Sequence, residues 1–158
     1  MTIQVGDRLP DIELRVIGKE GPEPIRTGEL FAGKKVVLFA VPGAFTPGCS
    51  LTHLPGYVVK ADEIKAKGVD LIVCTSVNDA FVMDAWGKAQ NAEEILMLAD
   101  GLGEFAAALG LDQDLSGPQL GRRSQRYAMI LQDGQVELLN IDPKGVDLSS
   151  AETLLAAL

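Results

Sequence analysis

The sequence predicts an α/β fold with a mixed central sheet flanked by helices, and three observations carry that expectation. Two apolar runs rich in β-branched residues, Lys35–Val41 (KVVLFAV) and Val69–Val77 (VDLIVCTSV), have the length and composition of buried strands. Stretches of helical periodicity alternate with these runs. Late in the chain, Asp133-Gly134 stands between two further apolar runs, Tyr127–Gln132 and Val136–Ile141, as a hairpin turn does. Strands alternating with helices, then a closing hairpin, give a sheet of mixed sense.

Taken in order, Met1–Pro10 is an N-terminal arm with a turn at Gly6-Asp7. Ile12–Ile17 alternates as a strand and pairs across Gly18–Pro24 with Ile25–Thr27. Glu29–Phe31 is one helical turn closed by Gly33. After the Lys35–Val41 strand comes a Pro/Gly-rich loop, then a helix from Tyr57 to Lys67, ended by Gly68. Pro55 starts that helix or kinks it, because an interior proline loses a hydrogen bond and crowds the preceding turn. Asn78 or Asp79 caps a helix over Ala80–Gln90. Ile95–Leu98 is a short strand, Asp100-Gly101 a turn, and Leu102–Leu109 a helix closed by Gly110. Asp112–Gly121 is polar, contains Gly and Pro, and reads as a loop. Ser149 or Ser150 caps a last helix, Ala151–Leu158. No repeat, low-complexity segment or linker interrupts this order, so the 158 residues read as one domain, 1–158.

Composition bounds the function. A net charge of −8 argues against nucleic acid as a partner. No stretch approaches the roughly 20 apolar residues that span a bilayer, and the start MTIQVGDRLP has neither a basic region nor an apolar signal run. The two cysteines, Cys49 and Cys74, are too few for a disulfide framework and form no Cys-x-x-Cys. A reducing cytoplasm is the compartment expected.

The chemistry concentrates in Val41–Tyr57, VPGAFTPGCSLTHLPGY. Pro42-Gly43 and Pro47-Gly48 break the chain between a buried strand and a helix, and Cys49 follows at or near the first helical turn. Free backbone N–H groups and the positive end of the helix dipole gather there, and both favour a thiolate. A lone cysteine is more often an inert core residue, but such residues sit inside strands or helices rather than among prolines and glycines. Thr46 offers a hydroxyl that donates and accepts, or one that only shapes the loop. Arg122, Arg123 and Arg126 cluster before the Tyr127–Gln132 strand, and the residues alone do not choose among them. Phe45 and Leu120 are candidates to line the mouth. His53, the only histidine, stands four residues after Cys49 on the same helical face. A Cys-His pair lacks an obvious third member and a metal site lacks ligands, which favours a structural histidine bonding within the loop.

This stretch resembles the peroxidatic motif of the peroxiredoxins, in the form used by the type II, or peroxiredoxin 5-like, group. Pro42, Thr46 and Cys49 match the general motif, and Thr52–Tyr57 (THLPGY) matches the group's extension. The resemblance continues through Ser76–Trp86, Leu96–Asp100, Arg122–Met129 and Asp133–Asn140. It implies a thioredoxin-like fold and a thiol-dependent peroxidase with Cys49 as nucleophile and no metal, haem or flavin. It gives Thr46 a hydrogen bond to thiolate and peroxide, Pro42 a shielding role, and the active-site arginine the place before the strand's aromatic, Arg126 before Tyr127. Hydrogen peroxide and alkyl hydroperoxides are the implied substrates, with glutathione/glutaredoxin or thioredoxin as reductant. A homodimer is implied too, with Ala80, Phe81 and Trp86 in the segment concerned.

Some relatives carry a late resolving cysteine. The matching region here, Gly145–Leu155, has Ser149 and Ser150 instead. Cys74 lies in an apolar strand, which favours a structural role, so Cys49 is expected to be resolved by an external thiol. A competing class is a peroxide sensor or chaperone-like protein whose oxidised Cys49 signals to a partner. A disulfide oxidoreductase is disfavoured by the missing Cys-x-x-Cys.

Overall fold

The computed structural model describes residues 1–158. Strands β1 (Glu13–Gly18) and β2 (Gly21–Arg26) form an antiparallel hairpin, and α1 (Thr27–Phe31) leads into β3 (Lys35–Ala40). A π-helical segment, Cys49–His53, runs into α2 (Leu54–Ala66). Then follow β4 (Leu71–Ser76), α3 (Ala80–Ala89), β5 (Leu96–Ala99) and α4 (Glu104–Leu109). A small two-stranded sheet, β6 (Asp112–Leu115) with β7 (Gly121–Ser124), precedes the hairpin of β8 (Arg126–Gln132) and β9 (Gln135–Asp142). Helix α5 (Ala151–Ala156) closes the chain. The main sheet has the order β2-β1-β5-β4-β3-β8-β9. The pairs β3–β4 and β4–β5 are parallel and the others antiparallel, so the mixed sheet expected from the sequence is present.

Strand β3 shows why an unbroken apolar run is needed at the centre. Val37, Phe39 and Val41 face one side, packed with Tyr57, Ala61, Met83, Trp86 and Leu154 of α2, α3 and α5. Val36, Leu38 and Ala40 face the other, with Phe31, Phe105, Leu109 and Tyr127. The alternation follows from the two-residue period of a strand, and burial on both faces requires apolar residues at every position. Each such large side chain contributes about 1.5–3 kcal/mol by leaving water.

Two expectations are corrected. The first hairpin is tighter than read, because β2 pairs in register from Gly21 and the connection is only Lys19-Glu20. Pro22 and Pro24 sit within β2, which is tolerated because β2 is an edge strand and their missing N–H groups leave no ladder bond unmade. Asp112–Gly121, read as a loop, contains β6 and the first residue of β7. These strands are polar and lie outside the main sheet, so no apolar alternation marks them; Arg122 and Asp112 brace the pair at 2.8 Å. Ser150 caps α5 by accepting from the Thr153 N–H, while Ser149 is buried and serves elsewhere.

Candidate active site

The site forms where β3 and β4 end, at the carboxyl edge of parallel strands. The Val41 N–H still reaches the Thr75 carbonyl at 3.1 Å. Pro42 has no N–H to extend the ladder, so the chain leaves the sheet there. Ala44 N–H donates to Asn78 Oδ1 (2.9 Å), and the Gly43 carbonyl accepts from both the N–H (3.3 Å) and the hydroxyl (2.6 Å) of Thr46. Phe45 adopts φ +66°, a left-handed conformation uncommon for a side chain of this size. The Ser50 N–H then donates to the Thr46 carbonyl at 2.9 Å, an i→i+4 bond that starts a helix with Pro47 in its first turn. A proline there sacrifices an N–H that has no helical partner anyway.

Cys49 therefore lies in a first helical turn, and its side chain is fully buried. Its sulfur accepts from Arg126 Nη2 at 3.3 Å. A full guanidinium charge at that distance outweighs the helix end, whose partial charge contributes about 0.3–1 kcal/mol. Gly48 leaves room for the approach, since a Cβ there would stand a tight 3.2 Å from the same nitrogen. From Cys49 to His53 the helix widens, and the Leu54 N–H reaches the Cys49 carbonyl, five residues back. Pro55 accounts for the widening: it supplies no N–H to the preceding turn and its ring crowds the carbonyl four residues earlier. Such widened turns recur at functional sites.

His53 is buried between two partners. Its Nε2 lies 2.9 Å from the Ser149 carbonyl and its Nδ1 2.8 Å from Arg126 Nη1. A carbonyl only accepts and a guanidinium only donates, so Nε2 carries the proton and Nδ1 accepts. Burial pushes the His53 pKa down to about 4, with the Arg126 charge adding to the effect against the Ser149 hydrogen bond. A neutral imidazole thus holds the guanidinium that holds the sulfur. The Ser149 carbonyl also accepts from the Tyr57 hydroxyl (2.7 Å), and Tyr57 stacks on Phe39 at 3.9 Å. The Asp142 carboxylate fixes Ser149 from behind through its N–H (2.8 Å) and hydroxyl (2.6 Å).

The structure brings Pro42, Thr46, Cys49 and Arg126 to one place. The Thr46 hydroxyl has a single proton, and the Gly43 carbonyl takes it rather than Cys49. Its oxygen is left to accept from an entering O–H group. The three arginines separate cleanly. Arg126 meets Cys49, Arg122 pairs with Asp112, and Arg123 donates to the Leu120 carbonyl (2.9 Å) and, at 3.5 Å, to that of Pro42. Phe45 is exposed on the outer flank, its ring 6.5 Å from that of Trp86. Leu120 contributes its carbonyl to Arg123. A polar cleft of about 170 Å³ runs past Pro42 and Arg126, walled by Gln113, Gln125 and Asp142.

His53 is the correction at residue level, since its partners lie in β8 and before α5 rather than in its own loop. The one-turn Cys-His spacing was the available signal. Asn78 and Ser149 carried none, because the groups that tie them to the site, the Ala44 N–H for Asn78 and the His53 and Tyr57 side chains for Ser149, lie 34, 96 and 92 residues away. Trp86 of α3 is buried and donates to the Ser50 hydroxyl at 2.9 Å, beside Cys49. Cys74 sits on β4 opposite Phe39, and burial raises its thiol pKa well above the ordinary value. No group of three His, Cys, Asp or Glu side chains is placed to hold a metal ion, and no helix is long and apolar enough to cross a membrane.

The sheet, its flanking helices and a buried cysteine at a helix start under an arginine define the thioredoxin-like redoxin class, and the Redoxin family is matched over residues 4–155. Peroxiredoxin-2E, a chloroplastic protein of Arabidopsis thaliana, is 48% identical over 163 residues, covering 99% of this chain and 70% of that protein. The reduced Prx3 of Vibrio vulnificus, solved in complex with H2O2, superposes with a TM-score of 0.96 at 62% identity over 99% of each chain. Peroxiredoxin 5 from Alvinella pompejana gives 0.85 at 38% identity, over 98% of this chain and 97% of its own. The chain belongs to the peroxiredoxin family, in its type II, peroxiredoxin 5-like group, and is a thiol-dependent peroxidase.

Proposed function

We propose that this peroxiredoxin reduces hydrogen peroxide and small alkyl hydroperoxides at Cys49 and is recycled by glutathione with glutaredoxin. The observation that carries this reading is the isolation of Cys49: the only other thiol, Cys74, is fully buried and held in a central strand. In the first step the Cys49 thiolate attacks one peroxide oxygen. An S–O bond forms, the O–O bond breaks, and the departing oxygen leaves as water or alcohol after taking a proton. Arg126 stabilises the sulfur anion and the developing oxyanion with its forked donors. Thr46 accepts from the peroxide O–H and so orients it, and Pro42 shields the sulfur from water. The Vibrio relative, solved with H2O2, supports a peroxide of this size.

In the second step glutathione attacks the sulfenic sulfur, giving a mixed disulfide and water. A second thiol then releases Cys49 and forms oxidised glutathione or a glutaredoxin disulfide. Because Cys49 is wholly buried, its first turn has to open for this step. A homodimer is the working unit in this reading, supported by the exposed apolar residues Phe45, Leu51 and Phe81. The cycle suits a reducing cytoplasm.

The test compares peroxide consumption driven by glutathione, glutaredoxin and thioredoxin in parallel. Cys49→Ser abolishes turnover, while Cys74→Ser keeps most of it. Intact mass after one equivalent of peroxide plus glutathione shows one glutathione on Cys49. A Cys49–Cys74 disulfide, with turnover lost in Cys74→Ser, overturns the one-cysteine cycle; turnover with thioredoxin alone reassigns the reductant. A sensor would be oxidised once and stop, so sustained turnover separates the two classes.

A further inference from the structure

We infer that Asn78 is a positioning residue for peroxide reduction, acting through the Gly43–Ala44 peptide on the Thr46 hydroxyl. Asn78 lies outside the Pro42–Cys49 loop, in the two-residue link between Ser76 of β4 and Asp79, which caps α3. Its Oδ1 accepts from the Ala44 N–H at 2.9 Å and from the Ser76 hydroxyl at 2.8 Å. Ser76 is itself buried, and an N–H can only donate, so the oxygen of the amide must face the loop.

The Ala44 N–H and the Gly43 carbonyl belong to one planar trans peptide, on opposite sides of it. Asn78 grips the first and Thr46 the second: the Thr46 hydroxyl donates to that carbonyl at 2.6 Å. A carbonyl fixed there claims the only hydroxyl proton and leaves the Thr46 lone pairs for the peroxide O–H. Released, the peptide can rotate, because Gly43 has no Cβ to resist it and the neighbouring Phe45 already sits at an unfavourable φ of +66°. The hydroxyl proton would then be free to turn into the site and meet the peroxide donor to donor.

The inference rests on peroxide reduction at Cys49, and its test keeps the two apart. Asn78→Ala is expected to slow peroxide reduction on the order of 10- to 100-fold, as for a displaced positioning contact. The pH profile of Cys49 alkylation by iodoacetamide stays where it is, because Arg126 is untouched. Asn78→Asp, whose carboxylate accepts the same two bonds, recovers most of the rate. Ser76→Ala, which only loosens the amide, costs about 2- to 10-fold, the worth of one hydrogen bond, and serves if Asn78→Ala folds poorly. In a Thr46→Val background, Asn78→Ala or Ser76→Ala has almost no further effect, since the hydroxyl they orient is gone. Losses that multiply in the double variants, or an alkylation profile that moves with the rate, overturn the inference alone. A wild type that consumes no peroxide overturns peroxide reduction and this inference with it.

Discussion

At the scale of single residues, the site is a chain of grips rather than a set of free side chains. Cys49 is held by Arg126, Arg126 by His53, and His53 by the Ser149 carbonyl. Cys49 stood out in the sequence because it lies in one short Pro/Gly-rich stretch with Pro42 and Thr46, whose parts the resemblance supplied. Arg126 was legible only by resemblance, since nothing local distinguishes it from Arg122 and Arg123. His53 was misplaced because its partners are 73 and 96 residues away. A consequence concerns pH. His53 titrates near 6.5 when unfolded and at about 4 when folded, so the unfolded chain takes up a proton first. Stability is full above about pH 6.5 and falls as the pH drops towards 4, by on the order of 3 kcal/mol from this group. Gln at this position can keep both hydrogen bonds without titrating. Urea unfolding of His53→Gln between pH 7 and 4 should show a shallower fall than wild type; identical slopes would assign the effect to other groups.

Among the elements, those with an apolar face were readable and those without were not. Strands β3, β4 and β8 announce themselves through burial and β9 through the apolar run after Asp133-Gly134, whereas β6 and β7 are polar and held by cross-strand bonds such as Arg122 to Asp112. The helix after Cys49 was expected to start or kink at Pro55; the regular helix starts there, with the proline in its first turn, and a widened turn precedes it. The widened turn lies between Cys49 and His53, so it sets how both side chains face Arg126. Pro55→Ala restores an N–H and a better helix former, which favours a regular turn through the site. Thermal stability is expected to hold or rise while the rate of peroxide reduction falls several-fold, a trade between stability and activity. Calorimetry beside a peroxide assay checks it. A variant that loses stability and keeps its rate would show that the widened turn has no part in placing the sulfur.

For the molecule as a whole, fold class was legible from the alternation of strands and helices, because both faces of the sheet must be covered. Association was expected only by resemblance. Of the three residues in the segment concerned, Phe81 is exposed, while Ala80 and Trp86 are buried in the core. A dimer face that used this segment would draw on Phe81, with the exposed Phe45 and Leu51 as further apolar candidates. Sedimentation at micromolar concentration should give a dimer for wild type and a monomer for Phe45→Glu/Phe81→Glu. A monomeric wild type counts against the association.

The bond from Trp86 to Ser50 has an optical consequence. Trp86 is the only tryptophan, and its indole N–H ends on Ser50, one residue from Cys49. The chain thus carries a single intrinsic fluorophore tethered to the turn that, in the proposed cycle, opens when Cys49 is resolved. Stopped-flow emission, excited at the indole band, should change in step with oxidation and return on reduction, with no dye attached. Ser50→Ala cuts the tether and should blunt the signal while the chemistry continues, so each half of the cycle can be timed from the protein's own light.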